Sequence, residues 1–120
     1  MTVNLARMSE REYFALVAKR LGMYVRGSTL AGVEGFLDGY DQHAKRHGGP
    51  GLQGWREWLA ARLGWGNNLA WDWLVRHIAL PTGWDERELT PEDESRVIEV
   101  LFELLDEFLA ERERLKAQPQ

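Results

Sequence analysis

His43 and His47 are four residues apart, a spacing that puts two imidazoles on one helix face, and Asp38 and Asp41 lie close by. Imidazole and carboxylate together are ligands for zinc or a similar metal. The set is nevertheless poor for that use. No Glu follows His43 as it does in a zinc-protease helix, no further ligand comes at a fitting spacing, and the pair runs into His47-Gly48-Gly49-Pro50-Gly51, where a helix must end. Histidines in a last helical turn complement the helix dipole, so no metal is expected and the alternative of a metal enzyme built on His43, His47 and Asp41 ranks last.

Other catalytic chemistry fares no better. The absence of cysteine removes thiolate nucleophiles, disulfides and Cys-ligated zinc. Ser9 and Ser28 read as helix caps and Ser95 sits inside an acidic helix, so no serine has a local activating base. His77 lies among apolar neighbours and reads as a partly buried, hydrogen-bonded ring. The Gly48–Gly51 run is not a phosphate loop, because no Lys-Ser/Thr follows and no strand precedes it. Lys19, Arg20 and Arg26 around Tyr24 make only a short basic-aromatic interleave. The expectation is a protein that is not an enzyme and carries no cofactor.

Two surface features remain, and both point to binding. Residues 1–84 hold ten Lys+Arg and seven Asp+Glu, and residues 85–120 hold five and twelve, so the chain's −4 divides into +3 and −7. Glu99, Glu103, Asp106 and Glu113 recur at spacings of four, three and seven along one strip of the last helix, which is either a solvated face or an acidic docking surface that steers a basic partner, with Glu99, Glu103, Asp106 and Glu107 as its candidate charged anchors. The six tryptophans cluster at Trp55, Trp58, Trp65, Trp71, Trp73 and Trp84. Most should fill the core, but Trp71 and Trp73 are two apart and cannot share a face, so one ring should point elsewhere. Trp71 and Trp84, with Tyr24 at the preceding turn, are the candidate aromatic contacts, all the more so if a ring lies beside Arg56, Arg62 or Arg76.

These residues need a scaffold, and 120 residues with 44% hydrophobic and 28% charged content suffice for one domain with a core. Acidic balance excludes a generally basic nucleic-acid binder. No stretch approaches the roughly 20 apolar residues of a membrane span, and residues 1–25 lack the pattern of a signal peptide, so a cytoplasmic protein is expected. Met1–Met8 reads as a loose arm in which Val3 and Leu5 could dock. Ser9-x-x-Glu12 is a capping box opening a helix over about Glu10–Leu21, with Gly22 as its C′ residue. Gly22–Gly27 reads as a packed loop or single extended segment. A second helix, capped by Ser28 or Thr29, carries Leu30, Val33, Phe36, Leu37 and Tyr40 on one face and ends by Arg46; its Gly32, Gly35 and Gly39 suggest a close helix–helix contact. A third spans Trp55–Leu63 before Gly64. A fourth, capped by Asn67 or Asn68, buries Leu69, Trp73, Leu74 and Ile78 (or Val75) and closes at Pro81-Thr82-Gly83. Thr90-Pro91-Glu92-Asp93 opens the longest helix, about Pro91–Leu115, with an apolar stripe through Ile98, Leu101, Phe102, Leu104, Leu105, Phe108 and Leu109 and a frayed tail over 116–120. The fold class is all-α: a compact single-domain bundle of about five helices with a long C-terminal helix.

The run Arg20-Leu21-Gly22-Met23-Tyr24-Val25-Arg26-Gly27, followed by Phe36-Leu37-Asp38-Gly39-Tyr40, a Trp-containing middle and Leu101-Phe102-Glu103-Leu104-Leu105-Asp106-Glu107-Phe108, resembles small bacterial proteins with an Arg-Pro-Gly-Met-Tyr-x-Gly turn. This chain differs at Leu21, where the pattern has Pro, and in Arg26 before Gly27. Some such proteins are similar to immunity partners of polymorphic toxins, small acidic proteins that bind a toxin and block it. The resemblance implies a non-catalytic antagonist of a toxin, which agrees with the residue-level reading, and the partner-binding residues expected from that reading are Glu99, Glu103, Asp106, Glu107, Trp71, Trp84 and Tyr24. The alternative is a structural or assembly subunit of a larger complex, or a homodimer.

Overall fold

A computed structural model describes residues 4–118, which are all-α, with no strand among them. Six helices follow in order: α1 (Glu10–Lys19), α2 (Leu21–Tyr24), α3 (Leu30–Arg46), α4 (Trp55–Leu63), α5 (Trp71–Ala79) and α6 (Pro91–Ala117). Single 3-10 turns cover Leu5–Arg7 and Arg26–Ser28.

The spine is α6, whose 27 residues rise about 40 Å at 1.5 Å each. Thr90 accepts from the Asp93 N–H and Pro91 opens the helix, as its sequence predicts. Val97, Val100, Leu101, Leu104, Leu105, Phe108 and Leu109 alternate in steps of three and one, which keeps them on one buried stripe. Truncating such a leucine to Ala costs about 2–5 kcal/mol, so the fold depends most on this helix. Ile98 and Phe102, expected in the stripe, lie at its edge and are only half-buried.

The other helices wrap this stripe with Phe14 of α1, Leu30, Val33 and Leu37 of α3, Trp55 and Leu59 of α4, and Leu74 and Val75 of α5. On α5 it is Val75 that is buried, while Ile78 and Trp73 are half-buried. The Ser9–Glu12 capping box forms in both directions. Arg11, in the first turn of α1, reaches the far half of α6 at Asp106 and Glu113, whereas Leu30, at the start of α3 after the two turns that follow α1, gives its N–H to Glu94 near the start of α6. Helix α1 therefore runs antiparallel to α6.

Several local expectations change. Helix α1 stops at Lys19, and Gly22 does not cap it; Leu21–Tyr24 forms another helical turn, followed by the 3-10 turn, in place of a loop or extended segment. The two turns share Val25, whose buried side chain anchors them to the core. In the Gly32/Gly35/Gly39 series only Gly32 makes a close approach: a Cβ there would stand 2.7 Å from Val25 Cγ1, while at Gly35 and Gly39 it would meet nothing within 4 Å. Those two glycines serve no helix–helix contact. The cap of α5 is Ala70 without a side-chain bond, not Asn67 or Asn68; the Asn67 carbonyl instead receives Arg56, which also donates to the Leu69 carbonyl at 2.7 Å. At the other end, the 3-10 turn over Leu5–Arg7 is capped by Asn4, and Leu5 stays 56% exposed, so it does not dock. Val3 lies outside the described residues. Lys116 and Ala117 continue α6 and do not fray from it. No helix among the described residues is long and apolar enough to cross a membrane.

Candidate functional site

Between α1 and α6 lies a groove of about 850 Å³. Its making is local. On α1 the outward positions next to α6 are Ala15 and Ala18, both exposed, and these short side chains leave Ile98 and Phe102 uncovered across the way. Phe14 and Leu21 complete an apolar floor. Along the α6 edge stand Glu99, Glu103, Asp106 and Glu107, the four acids singled out from the sequence. Ile98/Phe102 and Glu99/Glu103 are each i, i+4 pairs, so one ridge of α6 is apolar and the adjoining one acidic.

The four carboxylates are not equivalent. Asp106 accepts from Arg11 Nε at 2.9 Å through one oxygen and from Nη2 at 3.0 Å through the other, a bidentate bridge from α1 to α6. That guanidinium holds the Asp106 carboxyl below the ordinary aspartate value, with its own burial opposing. Glu107 is 2.6 Å from Arg62, which ties α4 to α6. Glu99 has only a loose contact with Arg96 at 3.6 Å, and Glu103 has no ion pair among the described residues. Two acids therefore serve the fold at the groove's end, and two face outward uncommitted.

In comparisons with known proteins, no family model, curated protein or solved structure matches this chain.

The candidate aromatics stand elsewhere. Trp71 is half-buried, donates its Nε1–H to Asp38 at 3.1 Å and packs on Trp55 at 6.2 Å. Trp84 closes a ladder in which His77 lies edge-on to Trp65 at 4.5 Å and to Trp84 at 4.6 Å, and Trp84 meets Trp73 at 6.0 Å. Tyr24 packs edge-on to Tyr13. None of the three lines the groove. The tryptophan that points outward is Trp65, at 52% exposure, and Trp55 is the fully buried one. Arginines do lie over indoles, Arg62 over Trp58 at 5.4 Å and Arg76 over Trp73 at 5.5 Å.

His43 and the C-cap residue His47 bring their rings together at 4.4 Å, tilted by 50°, at the exposed end of α3, as their spacing requires. Asp41 is turned away to structural work: one oxygen accepts the Leu52 N–H at 2.7 Å and the other pairs with Lys45 at 3.0 Å. Among the described residues no third His or carboxylate joins the pair in a metal-sized cluster.

The α1 wall of the groove, Arg11, Ala15 and Ala18, is not among the residues that the sequence singles out. A signal existed, since two alanines three residues apart interrupt the outward side of a helix whose other faces are large or charged.

Proposed function

We propose that this chain is a non-catalytic protein-binding module, an immunity-type antagonist that occludes a basic bacterial toxin through the α1–α6 groove. The observation that carries the proposal is the pairing, in one concavity, of half-exposed Ile98 and Phe102 with the outward carboxylates Glu99 and Glu103. Apolar side chains left partly uncovered beside like charges suit a partner that brings both apolar anchors and cations. Water exclusion over the floor supplies affinity, and the rim supplies steering and selection. Occlusion asks for no reacting group, which fits a groove whose α6 side is built from Ile98, Phe102 and carboxylates, with Ser95 at its far end. A cytoplasmic site of action goes with this role, and neither nucleic acid nor an anionic membrane suits a negative rim.

The test is site-specific photo-crosslinking in the native host with the crosslinker placed at Phe102. A single basic protein trapped there, toxic when expressed alone and neutral when this chain is co-expressed, is the expected result. A trapped protein whose activity this chain leaves untouched would reject antagonism, and an empty groove would reject the docking face.

A further inference from the structure

We infer that the occupant of the α1–α6 groove is one amphipathic, basic α-helix of the partner, about three turns long, lying along α6. This deepens the docking proposal above and rests on it.

The groove is lined from Ser95 to Glu107 on α6, which at 1.5 Å per residue is about 18 Å, or three to four helical turns. Both walls are helices, whose backbone groups are spent on their own hydrogen bonds, so the groove offers side chains only. An extended strand would find no edge to pair with, whereas a helix satisfies its own backbone and docks by side chains. The i, i+4 ridges Ile98–Phe102 and Glu99–Glu103 match a helix whose apolar residues recur at three and four and whose Lys or Arg residues flank them. The empty space over Ala15 and Ala18 accommodates that helix's larger apolar side chains.

Charge selects the sign of the occupant. Against the four rim acids the groove lining sets only Arg11, which Asp106 already engages. A second copy of this chain on the same face would bring one acidic rim against another, because a two-fold interface apposes identical patches. A phosphate backbone or anionic lipid surface would meet the same repulsion.

The experiment is a titration of the isotope-labelled full chain, followed by amide NMR shifts, with a synthetic peptide of about 14 residues. The probe carries Leu along one helical face and Lys on the flanks, and a twin carries Glu in place of Lys. The inference expects shifts confined to 11–21 and 95–107 and no binding of the Glu twin. It expects at least about tenfold weaker binding in both Glu99→Lys/Glu103→Lys and Ala15→Gln/Ala18→Gln. The second variant fills the groove at exposed helical positions without changing charge, so it keeps the fold and isolates shape. Equal binding to the Ala15/Ala18 variant would show that the acids capture any cation without a groove and would overturn the inference. Shifts spread over 85–94, or no binding at all, would overturn it too. A crosslinked toxin trapped at Phe102 through a non-helical or uncharged segment would sink the helix while leaving the antagonist intact; an empty groove in the host would sink both.

Discussion

Replacing Arg76 with Met should destabilise this protein by more than replacing its partner Glu34 with Ala, and the gap should close in acid. Arg76 of α5 lies 2.6 Å from the Glu34 carboxylate of α3, donates to the Asp72 carbonyl at 2.8 Å and stands 3.7 Å from the Asp72 carboxylate. The Arg76 and Glu34 side chains each keep only 16% of their surface exposed. In Glu34→Ala the guanidinium retains Asp72, so the loss is one charge-assisted hydrogen bond partly recovered by water, about 1–1.5 kcal/mol. In Arg76→Met the thioether stem still covers Trp73, but the Glu34 carboxylate is stranded with Asp72 as its nearest charge. Breaking a fully buried pair costs about 3–5 kcal/mol, and the residual exposure here brings that to about 2–3. Burial already pushes the Glu34 carboxyl above its ordinary 4.5 despite Arg76, and removing the guanidinium pushes it further. A carboxyl raised in the folded state loses stability as pH rises from the unfolded value through the folded one. The Arg76→Met deficit should therefore be full at neutral pH and shrink as the pH falls toward the unfolded value. Urea unfolding followed by far-UV circular dichroism at both pH values reads it without interference from Trp73. Equal costs for the two variants, or a deficit that ignores pH, would refute the claim that the pair is desolvated.

Two further outcomes follow from local geometry. Gly51→Ala should lower stability by about 1–3 kcal/mol, because Gly51 has φ +54° and a Cβ there would stand 2.5 Å from Asp41 Oδ1, displacing the carboxylate that receives the Leu52 N–H; thermal unfolding measures it, and an unchanged midpoint would contradict it. Asp106→Asn should flatten the acid limb of the stability profile: Arg11 depresses the Asp106 carboxyl, so its contribution is present above the unfolded value of 3.8 and lost as pH falls through the folded one. A variant that acid-denatures along the same curve as the parent would show that the bridge does not couple folding to protonation.

Much of the scaffold is legible in the sequence because its signals are local. Ser9-x-x-Glu12 and Thr90-Pro91 name their own helix starts, Gly64 ends α4 in the left-handed conformation, and the α6 stripe needs only periodicity. Failures occur where a tertiary contact decides. Gly22 looks like a helix terminator, but Val25 in the core draws the chain on through another helical turn. Asn67 looks like a cap, but its carbonyl is taken by Arg56 from α4. Of the candidate site, the acidic strip is readable from spacing on α6 alone. That it borders a groove is not, because the groove exists only where Ala15 and Ala18 of α1 come to lie beside Phe102, 84 or more residues later in the chain. Nor can spacing say that Asp106 and Glu107 are occupied by Arg11 and Arg62, partners distant in sequence. It follows that Glu99 and Glu103, not Asp106, are the positions at which to reverse charge without loosening the bundle.

The most direct measurement compares co-purification of the tagged chain and its Glu99→Lys/Glu103→Lys variant from the native host, at low and high salt, with helicity checked in parallel. The account predicts one stoichiometric basic toxin, released from the parent by high salt and absent from the variant at any salt, with helicity unchanged. A toxin retained equally by the folded variant, or a parent that emerges as a partnerless monomer, would contradict it.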